Sequence, residues 1–342
     1  MTRREPIEYA RKLIATLGQD EAEALVLHQH GKKPTGFMVE AYAALLELAQ
    51  PRDLNQPLAG IPRTFYLGAA PPQWLATSHV PLFVARQSLA GRKALPRAKT
   101  HWALDSGGFT ELQKHGRWTV DVREYVAQVR RFHDEIGLMD FAASQDWMCE
   151  PIVLAGGKTR AGKFAGTKLS VPEHIERTVQ NFLDLKSAAP DLPWMPTLQG
   201  WNVHDYRACA ELYSRYGVKL EDEERVGLGS VCRREDVMKI SLYVNEFGGG
   251  PLARRMLSGG KIVPGLRLHG FGIKTEALPF YTENYLVSAD SQAWSMAARF
   301  RRREMAGCCE EGKKVCNNCF HWALEWRALL LKKLGPDWQL DG

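Results

Sequence analysis

From residue 63 to about residue 300, short apolar runs alternate with longer stretches in which apolar side chains recur every three or four positions. The short runs are Thr64–Gly68, Leu82–Ala85, His101–Leu104, Asp140–Ser144, Trp194–Leu198, Val226–Leu228, Leu266–Phe271 and Tyr285–Ala289. Runs of this length, bounded by turn residues, suit strands buried on both faces. Helical periodicity fills most of the gaps, at Val122–Ile136, Pro172–Ala188, Val203–Tyr216 and Arg234–Phe247. Eight strands alternating with helices predict an α/β fold of the (β/α)8 TIM barrel type. A doubly wound open sheet stays open as an alternative, because periodicity carries no mark of closure.

Residues 1–60 have a different texture. Ile7–Leu17, Ala22–His28 and Val39–Ala49 repeat at helical spacing, and Pro51, Pro57 and Pro62 break the pattern. The expected organisation is a helical N-terminal extension over 1–60 and a barrel over 61–342. A small zinc-binding insert over 304–325 belongs to the second part.

A barrel of this kind carries its chemistry just after its strands. Asp105-Ser106-Gly107-Gly108 follows the third run, Gln145-Asp146 the fourth and Gln199-Gly200 the fifth. Gly229-Ser230 follows the sixth, Gly272 the seventh and Asp290-Ser291 the eighth. Each aspartate also suits a helix N-cap. For Asp105 the following glycine pair weakens that reading, since Gly-Gly makes a poor first turn. Asp290 stands before a plausible helix start, so both readings apply to it. Gln199-Gly200 and the Gly227–Ser230 turn offer an amide and exposed backbone, groups that suit the edge of a planar heterocycle. They also fit ordinary tight turns.

Composition narrows the class. The chain has 342 residues, 45% hydrophobic and 25% charged, with a net charge of +6. No apolar run approaches the 18 or so residues of a membrane span, and the N-terminus carries no secretory signal, so a cytoplasmic protein is expected. The mild positive charge permits a polyanionic partner. Seven cysteines are present, and Cys308, Cys309, Cys316 and Cys319 fall within twelve residues, followed by His321. That clustering points to metal rather than to a disulfide framework. Four of these five side chains would close a tetrahedral structural Zn2+ site.

The segment Gly156–Phe164 has part of the spacing of a phosphate-binding P-loop, but Phe164 stands where a Ser or Thr should hold magnesium. The P-loop reading is rejected. Lys158, Arg160, Lys163 and Lys168 instead suit contacts to nucleic-acid phosphates, although a merely solvated loop has the same composition. Arg299, Arg301, Arg302 and Arg303 form a second basic group that equally fits a solvated helix face.

Taken together, these residues resemble the tRNA-guanine transglycosylase superfamily over about residues 63–330. The Asp105-Ser106-Gly107-Gly108-Phe109 run is similar to that family's Asp-Ser-Gly-Gly-aromatic motif, and Asp290-Ser291-Gln292-Ala293-Trp294 resembles the stretch around its nucleophile. The cysteine spacing departs from the family's. The compact body and the Cys-Asn-Asn-Cys pattern are more similar to the deazapurine DNA-modification branch, called DpdA. The resemblance implies a base-exchanging glycosyltransferase (a pentosyltransferase) that swaps guanine in nucleic acid for a 7-deazaguanine. DNA is favoured over tRNA, and no organic cofactor is needed. In this reading Asp290 is the nucleophile and Asp105 the proton-transfer group. Ser106, Gly107, Asp146, Gln199, Gly200, Gly229 and Ser230 bind the base. A helper protein that remodels DNA is a further expected partner. The alternatives are a tRNA-guanine transglycosylase proper, a base-releasing hydrolase, and a nucleic-acid-binding zinc protein without catalysis.

Overall fold

In a computed structural model of the protein the described residues are 8–12, 15, 63–69, 71–159, 162–232, 244, 247, 266–275, 278, 286–301, 315–335 and 338. The chain divides into two compact units, Met1–Ile61 with Asp236–Leu242, and Pro62–Glu235 with Tyr243–Gly342. In the first unit residues 8–12 are helical, within the expected Ile7–Leu17 helix. The helices expected over 22–28 and 39–49 lie outside the described residues. So do Arg160, Arg302, Arg303, Cys308, Cys309 and all of the Arg234–Phe247 helix except Val244 and Phe247.

The second unit begins with β1 (Thr64–Ala69), a 3-10 turn (Pro72–Ala76), β2 (Leu82–Ala85), α1 (Arg86–Ala90), β3 (Trp102–Asp105), α2 (Gly108–His115), α3 (Val122–Ile136) and β4 (Met139–Ala143). It continues with α4 (Pro151–Ala155), β5 (Gly157–Thr159), β6 (Gly162–Phe164), α5 (Val171–Ala188), β7 (Trp194–Met195), β8 (Thr197–Leu198) and α6 (Val203–Arg215). The last described elements are β9 (Val226–Leu228), β10 (Leu268–Gly270), β11 (Leu286–Ser291), α7 (Ala293–Arg301) and α8 (Phe320–Leu334).

The main sheet is parallel throughout, in the order β7-β4-β3-β2-β1-β11-β10-β9-β8. Among the described residues it has nine strands where the sequence predicts eight, and the reason is Pro196. Proline has no N–H to give a ladder and fixes its own φ, so a strand that contains it is interrupted. Residues before Pro196 pair with β4 (Ala142 with Trp194, Ala143 with Met195), and residues after it pair with β9 (Thr197 with Gly227, Leu198 with Leu228). The Pro196 carbonyl still accepts the Gly227 N–H at 2.8 Å. The two ends of the sheet are therefore neighbouring halves of one extended stretch, which makes the parallel sheet a nearly closed barrel.

Helix boundaries follow from local chemistry. Asp121 caps α3 by accepting the Glu124 N–H, and the helix buries Tyr125, Val129, Phe132 and Ile136, a stripe on one face. Ser170 with Glu173, and Asn202 with Asp205, form capping boxes that start α5 and α6. One core cluster joins Tyr66, Phe83, Ala103, Phe141, Ala143 and Met195, one residue or two from each of five strands. Within the Gly156–Phe164 stretch β5 and β6 pair antiparallel, unlike the strand–loop–helix unit of a P-loop.

Candidate active site

Asp105 is the last residue of β3, Asp146 lies three residues beyond β4, and Asp290 is the penultimate residue of β11. All three line one cavity of ≈ 180 Å³. Ser106, Gly108, Glu150, Gly229, Ser230 and Gly272 add polar and backbone groups to it, and Phe83, Phe109, Met148 and Phe271 supply its apolar surface. A site of this size takes one planar ring system, since a cavity of about 150 Å³ already accommodates benzene.

Asp105 is held where the chain turns out of the barrel. Its Oδ1 accepts the Gly107 N–H at 2.9 Å, so the carboxylate braces its own loop. Gly107, with φ of 76°, is the N-cap residue of α2, and a Cβ there would meet the Gln87 side chain at 1.9 Å. The glycine pair thus does start a helix, and Asp105 is not the capping residue. Arg86 secures the loop from below. It donates to the Ser106 carbonyl at 3.1 Å and forms a buried pair with Glu111 at 2.6 Å. Gln87 donates to the Gly107 carbonyl at 2.8 Å. Burial raises the Asp105 pKa from 3.8 to about 6; the Gly107 amide opposes the rise and the Asp290 charge adds to it. A carboxyl group so placed exchanges protons near neutral pH.

Asp146 belongs to a connected polar wall. Gln199 Nε2 donates to its Oδ2 at 2.5 Å, and Gln199 Oε1 accepts from Ser230 Oγ at 2.7 Å. Ser230 Oγ also lies 3.0 Å from Glu150 Oε2 and accepts the Cys149 N–H at 2.7 Å. Gly229 admits this network by having no side chain: a Cβ there would stand 2.2 Å from Gln199 Nε2. Tyr206 pins the Gly229 carbonyl at 2.7 Å, and Trp118 pins that of Asp146 at 3.1 Å. Gly200 forms the turn into α6. Burial pushes the Asp146 carboxyl from 3.8 up to about 7; the Gln199 amide opposes this, and the charges of Asp105 and Glu150 reinforce it.

Asp290 sits opposite, on β11, where Tyr66 of β1 is its partner in the sheet register. Its Oδ1 accepts the Gly272 N–H at 2.8 Å. Ser291 rather than Asp290 takes the amide at the start of α7, accepting from Ala293 at 3.1 Å. His269 of β10 is fully buried, with Nε2 3.4 Å from Asp290 Oδ1.

Of the basic residues expected to grip phosphates, Lys158 lies on β5, Lys163 on β6 and Lys168 after β6. Lys158 and Lys163 are exposed and are direct cross-strand partners. Lys168 has a positive φ of 60° and donates to the Ala155 carbonyl, which braces the return of the chain. Phe164 at the end of β6 packs with Phe109, Trp147 and Met148, and so joins the strand pair to the cavity wall. In the C-terminal region Cys316 is buried and Cys319 half-buried. Their turn is closed by the Cys319 N–H on the Cys316 carbonyl at 3.2 Å and leads into α8, of which Cys319 is the N-cap residue. His321 is exposed. Among the described residues no three His, Cys, Asp or Glu side chains gather as metal ligands.

Glu150, His269, Phe83 and Phe271 are site residues that the sequence reading does not single out. Glu150 had a signal in its position four residues after Asp146. His269 had one too, a polar residue inside a buried run.

A family described as DpdA, DeoxyPurine in DNA protein A, matches residues 61–340. No curated protein sequence matches the chain. Among solved structures, a protein of Coccidioides immitis assigned as a fructose-1,6-biphosphate aldolase superposes with a TM-score of 0.45 at 10% identity. That match covers 81% of this chain and 92% of the other. The YdjI aldolase of Escherichia coli K12 gives 0.35 at 9% identity, covering 81% and 90%. At these scores neither bears on function.

Proposed function

The chain belongs to the DpdA family, DeoxyPurine in DNA protein A, which implies a transglycosylase of DNA modification, and from that membership we propose that it exchanges guanine in DNA for a 7-deazaguanine through a covalent ester on Asp290. The observation that carries the proposal is the convergence of Asp105, Asp146 and Asp290 on one base-sized cavity.

Breaking an N-glycosidic bond builds oxocarbenium-like charge at C1′, which a carboxylate can capture. An oxygen of Asp290 gives a lone pair to C1′ as the C1′–N9 bond breaks, and that bond's electron pair leaves with guanine. Asp105 gives guanine its proton, a role supported by a pKa of about 6. The incoming 7-deazaguanine then returns a proton to Asp105, its N9 attacks C1′, and the Asp290 carboxylate departs. Two displacements restore the original configuration. Asp146 accepts from the N1–H and exocyclic amine of guanine, a donor pair absent from adenine. Leaving a buried carboxylate unpaired is costly, so the contact rejects the wrong base. The Gln199 and Ser230 network and the Gly229 backbone serve the base edge, and Ser106, Gly107 and Gly200 shape the approach.

The target base must leave its helix to reach the cavity. Lys158 and Lys163 support a phosphate contact beside the mouth, since like charges placed opposite each other on paired strands repel unless an anion lies between them. Arg160 and Lys168 complete the proposed basic group. For zinc, the Cys316–Cys319 turn at a helix N-terminus suits two thiolates. Four of Cys308, Cys309, Cys316, Cys319 and His321 would hold the ion, which supplies folding energy when bound in a closed site.

The test is mass analysis of nucleosides from DNA and from tRNA after incubation with the protein and a 7-deazaguanine. Deazaguanine in DNA is the expected result. Free guanine without uptake would make the protein a hydrolase, and uptake into tRNA alone would overturn the choice of polymer.

A further inference from the structure

His269 is fully buried among the rings of Tyr66, Phe83, Phe141 and Phe271, at centroid distances of 4.9 to 6.0 Å. Aromatic neighbours offer it no strong acceptor, so its two nitrogens must find polar partners at the ends of the ring. Nδ1 lies 2.9 Å from Ser288 Oγ. Nε2 has no hydrogen bond among the described residues, and Asp290 Oδ1 is 3.4 Å from it. A buried imidazole nitrogen left so close to a carboxylate oxygen is not explained by packing, because an apolar ring would fill the same space without the desolvation cost.

We propose that His269 is a positioning residue for Asp290: its neutral ring donates Nε2–H to Oδ1, joining the Gly272 N–H there, and so reserves Oδ2 for bonding to the sugar carbon. This rests on the transglycosylase reading above. The donor inventory fixes the arrangement. A carboxylate oxygen only accepts, so Nε2 must carry the proton, which leaves Nδ1 as an acceptor and makes the Ser288 hydroxyl its donor. Burial holds the imidazole neutral, and the Arg225 guanidinium acts in the same direction against the pull of Asp290. Tyr66, the other titratable group of the cage, spends its hydroxyl on Asp140 at 2.6 Å. The 3.4 Å approach is long for a hydrogen bond, as catalytic contacts are before substrate closes the site. When the ester forms through Oδ2, Oδ1 becomes its carbonyl oxygen. When the ester breaks, charge returns to both oxygens and the two donors stabilise the leaving carboxylate.

Two measurements test this. First, base exchange is compared in wild type, His269→Phe and His269→Gln. Phe keeps an aromatic ring without a donor, and Gln places an amide N–H near the position of Nε2. Loss of one such donor is expected to lower kcat roughly tenfold with KM for DNA and base unchanged, and Gln is expected to lie closer to wild type than to Phe. Wild-type kcat in His269→Phe, or a Gln variant no better than Phe, would overturn the proposal. Second, the ¹⁵N shifts of the His269 ring in the wild-type protein are expected to report the Nε2–H tautomer; the Nδ1–H form would refute it. The NMR result decides the donor question even if no exchange is detected, an outcome that would count against the transglycosylase reading instead.

Discussion

On one side of the cavity Asp146, Gln199, Ser230 and Glu150 form an unbroken chain of polar contacts, drawn from the segments after β4, β8 and β9. On the other side Asp290 is held by one amide, with an imidazole nitrogen waiting at 3.4 Å. The contrast follows from what each side has to do. Reading a flat heterocycle needs donors and acceptors fixed before the ligand arrives, so that no reorganisation is spent on binding. Attacking a carbon needs an oxygen whose lone pair is not already committed. A wall of linked polar groups recognises well and reacts poorly, and the sparse wall has the opposite properties.

The comparison is broken most severely by removing the centre of the recognition wall. Asp146→Ala is expected to lower kcat/KM for guanine-containing DNA by about 10²-fold and to erode the preference for guanine over adenine, with the fold retained. Unchanged selectivity in a competition exchange assay would show that the dense wall does not read the base.

A second effect is thermodynamic. Asp105 and Asp146 have folded pKa values of about 6 and about 7, both raised from 3.8 by burial. Both states bind the proton below pH 3.8, and the folded state holds it more tightly above that. The stability contributed by the two groups is therefore present at low pH and lost as pH rises through about 6 to 7. Urea midpoints measured between pH 4 and 8 should show this fall, and Asp146→Asn should flatten it relative to wild type. Equal slopes in the two proteins would mean that Asp146 ionises as freely folded as unfolded.

The smallest effect belongs to the β5–β6 pair outside both walls. Replacing Lys158 and Lys163 by Ala should weaken DNA binding roughly tenfold and reduce the salt slope by about 2, while leaving the base preference intact. An unaltered slope would move the phosphate contacts elsewhere.

Much of this arrangement was legible in the residues. The bounds of β2, β9 and α3 agree with the apolar runs and periodicity that predict them, because each is buried in a regular pattern. The strand-end position of Asp105, Asp146 and Asp290 was legible for the same reason: a parallel barrel sends the ends of its strands to one face. What was hidden depends on contacts between distant segments. Pro196 marks a break, but only pairing with two different neighbours shows that the break sits where the barrel closes. The strands β5 and β6 span three residues each and bury little, so they lack an alternating signal. His269 reads as one more residue of a core strand until Ser288 and Asp290, about twenty positions away, are brought to its two nitrogens.

The central claim is that Asp290 bonds to the sugar while Asp105 and Asp146 attend to the base. Its most direct test is mass spectrometry of the protein after incubation with guanine-containing DNA and denaturation. The account predicts a protein–DNA adduct that maps to Asp290, is absent in Asp290→Asn, and is discharged by added 7-deazaguanine. An adduct that persists in Asp290→Asn, or maps to another residue, would contradict it.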